Sequence, residues 1–168
     1  MFIRLNSLIK GFSGVRPEIV ERLNDLLHHD IIPIIPLRGS ISASGDLSPL
    51  SYIAGALQGK RTIRVFSKPG KKGVTANQAF LHAKLEPISL QPKEGLAIVN
   101  GTAISCAAAA LTLHDTHGVA VLAQAVTAMS VEALQGTMES FDPMFTDVRS
   151  HPGQVSLIHI FRMDCILN

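Results

Sequence analysis

The 168-residue chain has no tryptophan and one tyrosine, Tyr52, and its 15 Lys and Arg residues are nearly balanced by 13 Asp and Glu, for a formal charge of +2. With no aromatic platform for bases and no basic stripe for phosphates, nucleic acid is excluded as an expected partner. Cysteine is scarce too. Cys106 and Cys165 lie far apart in unrelated contexts, which fits reduced thiols in a cytoplasmic protein rather than a disulfide framework. Met1-Phe2-Ile3-Arg4-Leu5-Asn6 has no uninterrupted apolar run and no small-residue cleavage site, so no secretory signal is read. His114 and His117 flank Asp115, but the further ligands a metal needs are missing. These three are read as polar residues of a turn between helices, with no metal. Lys68 to Gly73 is a basic, glycine-containing surface loop without P-loop spacing.

Charge is absent over two long stretches, Gly95 to Leu113 and Thr116 to Val131. Their lengths approach those of membrane spans. The first is built from Ala, Gly, Ser, Thr and Asn more than from Leu or Ile, and the second is short for a span. Both are read as buried helices of a large helical bundle, not as membrane segments. Lys93 to Leu113 is expected to be one helix, interrupted at Asn100-Gly101, and Gly118 to Leu134 its antiparallel neighbour.

Arg16 to His29 places Ile19, Leu23, Leu26 and Leu27 at helical spacing, with Pro17 at the start where a missing amide costs nothing. Pro33 and Pro36 then forbid a regular helix. Asp46 or Ser48 can cap a following helix that has Pro49 in its first turn and Leu50, Ile53, Ala54 and Leu57 as its buried stripe. Thr75 with Gln78 fits a capping box for a short helix through Leu85, and Pro87 and Pro92 bound a loop. The fold class is therefore mainly α.

Ala43-Ser44-Gly45 falls just before the predicted helix N-terminus. A glycine amide nitrogen is the least hindered backbone nucleophile, and glycine reaches conformations closed to other residues. Attack of the Gly45 nitrogen on the Ala43 carbonyl carbon with loss of water would close a five-membered ring. Loss of a second water from Ser44 would leave an exocyclic methylene, an electrophile no ordinary side chain supplies. A bare tripeptide of this kind is common in turns.

The residues around it carry more. Arg38-Gly39-Ser40-Ile41-Ser42-Ala43-Ser44-Gly45-Asp46-Leu47-Ser48-Pro49-Leu50 resembles the signature of the histidine/phenylalanine ammonia-lyase superfamily. Gln91-Pro92-Lys93-Glu94-Gly95-Leu96-Ala97-Ile98-Val99-Asn100-Gly101-Thr102 resembles its second block, and His151-Pro152-Gly153-Gln154 a third. Ser48 to Gly55 is similar to the phenylalanine/tyrosine lyases rather than the histidine ones, and Gly118 to Arg149 to fungal members.

The resemblance implies an internal piece, residues 1–154, of a helical-bundle aromatic amino acid ammonia-lyase, followed by a tail, 155–168, unlike the family. It implies a methylidene-imidazolone made autocatalytically from Ala43, Ser44 and Gly45. Asn100 would contact that group or the substrate, and Leu47 and Leu96 would line the pocket. The complete protein would be a homotetramer that deaminates phenylalanine or tyrosine to cinnamic or coumaric acid. Alternatives are a histidine ammonia-lyase, an aromatic aminomutase, or a non-catalytic helical module. The family's loop tyrosine base, a second tyrosine and a carboxylate-binding arginine have no counterpart among these residues, Tyr52 included, so the chain alone is expected to be inactive.

Overall fold

In the computed structural model, residues 1–41, 45–66 and 73–158 are described. Ala43 and Ser44, most of the basic loop and Cys165 lie outside them. The chain divides into two compact units, Met1–Ala110 and Leu111–Asn168.

The first unit begins with helix α1 (Phe2–Ile9), which the sequence reading did not anticipate, and α2 (Pro17–His28). Pro17 opens α2, and Ile19, Leu23 and Leu26 are fully buried while Leu27 is half-buried, in line with the spacing. Strand β1 (Ile32–Pro33) follows, then α3 (Leu47–Leu57), β2 (Arg64–Phe66), β3 (Val74–Thr75), α4 (Ala76–Ala83) and α5 (Glu94–Val99). The three short strands form an antiparallel sheet in the order β1-β2-β3, with Pro33 opposite Val65 and Val65 opposite Val74. Pro33 is tolerated because β1 is an edge strand. Two- and three-residue strands carry too little alternation to be read from sequence, and this sheet was not expected.

Helix α3 is the centre of the unit. Leu50, Ile53, Ala56 and Leu57 are fully buried, and they cluster with Leu8 of α1, Leu23 of α2, Phe80 of α4 and Ile98 of α5. Asp46 occupies the N-cap position, yet its side chain makes no capping bond. The capping box on α4 is present: the Gln78 amide donates to Thr75 Oγ1 and the Gln78 side chain accepts from the Thr75 amide at 3.2 Å.

Four helices end in the same way. A residue in the left-handed region, Asp30, Gly59, Lys84 or Gln135, follows the helix, and the next amide bonds back to a carbonyl in the last turn. Only one of the four is glycine, the residue for which that conformation is unstrained. α4 accordingly stops at Ala83, two residues before the expected end.

Helix α6 (Ala103–Ala133) corrects the expected helix pair. Its 31 residues run without interruption through His114, Asp115 and His117, so these three are helical and not turn residues. The physical reason is that Gly118 alone costs roughly 1 kcal/mol relative to alanine, too little to break a helix rich in alanine. Hydroxyls that would compete with the backbone instead fold back: Thr116, Thr127 and Ser130 each donate to the carbonyl four residues earlier, at 2.7–2.8 Å. The expected burial is also not seen among the described residues, where Ala103 is the one buried residue of α6. Among the described residues one stretch, Glu94–Ala133, is long and apolar enough to cross a membrane by composition. The second unit also holds a 3₁₀ turn (Met138–Phe141), helix α7 (Met144–Val148) and a helical stretch at 152–158, with Thr146 and Ile158 buried.

Candidate active site

The predicted interruption at Asn100-Gly101 lies between the end of α5 at Val99 and the start of α6 at Ala103. Asn100 is the C-cap of α5 in extended conformation, its amide bonded to the Leu96 carbonyl at 2.9 Å. That break turns the Asn100 side chain out of the helix and onto Gly45. A Cβ built on Gly45 would overlap Asn100 Oδ1 and lie 3.4 Å from Asn100 Cγ and 3.5 Å from the Gly101 nitrogen. The signature loop and the second block, 55 positions apart, therefore meet at one point. Position 45 has room for glycine only.

Gly45 stands two residues before α3, whose unsatisfied amides give its N-terminus partial positive charge. Beside it Asp46 is 6% exposed, and its Oδ2 is buried without a hydrogen-bond partner in the described structure. Leu47, the first residue of α3, remains 46% exposed although α3 is otherwise the most buried helix. Leu96 is 60% exposed. A cavity of about 290 Å³ is lined by Ser13, Gly14, Lys93, Leu96, Ala97 and Asn100. Of the residues proposed to bind substrate, the structure brings Leu96 and Asn100 to this cavity. Leu47 is not in its lining. Ala43 and Ser44 are outside the described residues.

Three features of the site escaped the sequence reading. The first is the loop Ser13-Gly14, which forms one wall of the cavity. The second is the fixing of the N-terminal end of α5. Glu94, 4% exposed, accepts from Arg16 Nε at 2.8 Å, Arg16 Nη2 at 3.2 Å, the Arg16 amide at 3.2 Å and the Gln91 amide at 2.7 Å. The bond from the Arg16 side chain, with the two amides adding to it, outweighs burial and holds the Glu94 carboxyl down at about 2. Lys93, just before it, adopts φ 71°, a left-handed conformation costly for a side-chain-bearing residue.

The third feature is Arg4, 5% exposed, at the opposite end of α5. Its Nε donates to the Ile98 carbonyl at 2.9 Å, and Nη2 donates to the Ala97 carbonyl and, at 3.0 Å, to the Asn100 carbonyl. Burial pushes the Arg4 guanidinium below its ordinary range, and these carbonyls replace the lost water. Both arginines were legible only as ordinary charged residues, because their partners lie 78 to 96 positions away.

Known proteins share this fold. The family described as aromatic amino acid lyase matches residues 1–164. Phenylalanine ammonia-lyase 1 of Pleurotus ostreatus is 54% identical over 162 residues, covering 92% of this chain and 22% of that protein. The structure of a phenylalanine ammonia-lyase from the yeast Rhodosporidium toruloides superposes with a TM-score of 0.88 at 50% identity, over 95% of this chain and 24% of that one. A histidine ammonia-lyase from Trypanosoma cruzi superposes with a TM-score of 0.86 at 35% identity, over 95% and 31%. This chain thus spans 22% to 31% of the length of these relatives, and within that span its helical fold is theirs. With the match running through nearly every residue, the chain belongs to the aromatic amino acid lyases.

Proposed function

We propose that these residues are the electrophile-bearing part of a phenylalanine ammonia-lyase, a carbon–nitrogen lyase that converts phenylalanine or tyrosine to the unsaturated acid and ammonia. The observation that carries the reading is the contact of Gly45 with Asn100 beside the N-terminus of α3. A glycine with no space for a side chain, following a small residue and a dehydratable serine, is what ring closure at Ala43-Ser44-Gly45 requires. The residues present fit a methylidene-imidazolone, which would supply an electron-poor carbon no ordinary side chain offers.

The chain's own residues then have separable tasks. The Asn100 amide can donate and accept at the group or at the substrate. The positive end of α3 draws electron density toward the loop. Leu96, exposed at the cavity wall, and Leu47, exposed at the start of α3, offer apolar surface to an aromatic ring. Histidine lyases share the fold at lower identity, and the greater likeness to phenylalanine lyases supports the aromatic substrate.

The same reading makes the complete protein a homotetramer in the cytoplasm. Leu111, Leu113, Val119, Leu122 and Met129 of α6 are each more than 60% exposed, and apolar surface of that extent marks an interface. Helices of the complete lyase would cover it, and a membrane would not be needed. Reduced thiols suit a cytoplasmic location.

A complete lyase made by grafting residues 1–154 into phenylalanine ammonia-lyase 1 of Pleurotus ostreatus tests the reading. It should release cinnamate from phenylalanine, followed by ultraviolet absorbance, and leave histidine untouched. The 168-residue chain alone should release none, since a missing general base alone costs about a hundred- to ten-thousand-fold. A preference for histidine, or cinnamate formed by the isolated chain and lost in Ser44→Ala, would overturn it.

A further inference from the structure

The geometry points to Arg4 as a positioning residue that acts through Asn100, an assignment that rests on the reading of the site given above. Arg4 is on α1, far from the signature in sequence, and is not itself one of the residues lining the cavity. What it touches is the turn that carries Asn100. Three carbonyls of that turn, those of Ala97, Ile98 and Asn100, converge on one guanidinium. These carbonyls have no partner inside a helix that stops at Val99, and a cation there also complements the negative end of α5.

The turn is closed over Arg4 from the other side. A Cβ built on Gly101 would stand 2.6 Å from Arg4 Nη1 and 3.2 Å from its Cζ, so the glycine lies directly on the guanidinium plane. The backbone before Asn100 and the residue after it are both held by the same side chain. Asn100 Oδ1 in turn abuts Gly45. A displacement of the guanidinium is therefore a displacement of the amide against Gly45. A lysine cannot reproduce this, because one ammonium cannot spread a rigid planar fork across three carbonyls.

The test uses the grafted enzyme with Arg4→Lys and, independently, Gly101→Ala, which crowds the guanidinium without altering its charge. Hydrogen exchange at the Asn100 amide should quicken roughly ten-fold or more in both variants, because the turn opens locally. Exchange at Ile53 and Leu57 in α3 should not change. In steady-state assays with phenylalanine, Arg4→Lys should lower kcat on the order of a hundred-fold, the scale of a misplaced catalytic group, with KM changed less than about three-fold. Because Arg4 acts through Asn100, the same substitution should cost little further kcat in an Asn100→Ala background. Equal acceleration of exchange at Asn100 and in α3 would make Arg4 a plain core residue and overturn the assignment. So would a full additive loss in the double variant. A grafted parent that is folded but inactive would sink the functional reading, while the exchange data would still decide whether Arg4 holds the turn.

Discussion

Helices α3 and α6 are both apolar, yet they are handled in opposite ways. α3 buries seven of its eleven residues inside the first unit, whereas α6 buries one of thirty-one. Both compositions call for cover. For α3 the cover is in the chain: α1, α2, α4 and α5 contribute to one cluster around Leu50, Ile53 and Leu57. For α6 the described residues bury only Ala103. Apolar composition reports that a helix will be buried, and only the remaining partners decide where.

The largest expected effect is on that contrast. In the 168-residue chain, Ile53→Ala should lower stability by about 2–5 kcal/mol, while Leu122→Ala in α6 should change it by less than about 0.5 kcal/mol; denaturant unfolding followed by circular dichroism measures both. A large loss at Leu122 would mean that α6 is already packed within the chain. A complementary variant acts on the exposed side. Leu111→Glu with Leu122→Glu should make the chain more monomeric in sedimentation, because it breaks the apolar patch. Unchanged association would place the sticky surface elsewhere.

The same contrast separates the two ends of α5. Glu94 is held low by Arg16, so its folded carboxyl binds protons less readily than an unfolded one. Its contribution is fully present above the unfolded value of about 4.3 and fades as pH falls toward about 2. Glu94→Gln should cost on the order of 2 kcal/mol at pH 7 and should flatten the decline of stability between those limits. An identical acid profile in the variant would assign that decline to other carboxylates. The smallest effect is at α4, where Thr75→Ala should cost about 1 kcal/mol by removing the capping box, measured by the thermal midpoint.

What the sequence disclosed follows from the range of the forces involved. Ile19, Leu23 and Leu26 on α2, Pro49 in the first turn of α3 and the pair Thr75 and Gln78 are local signals, and the elements formed where those signals stood. The break at Asn100-Gly101 was legible for the same reason. The turn expected at His114-Asp115 was wrong because polar residues alone do not end a helix; proline or a left-handed residue does, and the latter arrives only at Gln135. Three of the four left-handed helix ends use Asp, Lys or Gln, for which the sequence carries no mark. In the site, glycine at 45 and asparagine at 100 were visible as parts of motifs. Arg4 was not, because its role is set by three carbonyls that converge only after folding.

The central claim is that Ala43, Ser44 and Gly45 close into an electrophile against Asn100, and intact mass tests it most directly. The grafted lyase should be lighter than its sequence by two waters. Ser44→Ala, with no hydroxyl to eliminate, should be lighter than its own sequence by one water at most, and Gly45→Ala should carry its full sequence mass, because its Cβ would strike Asn100 Oδ1. A folded, active enzyme with the full unmodified mass would contradict the account.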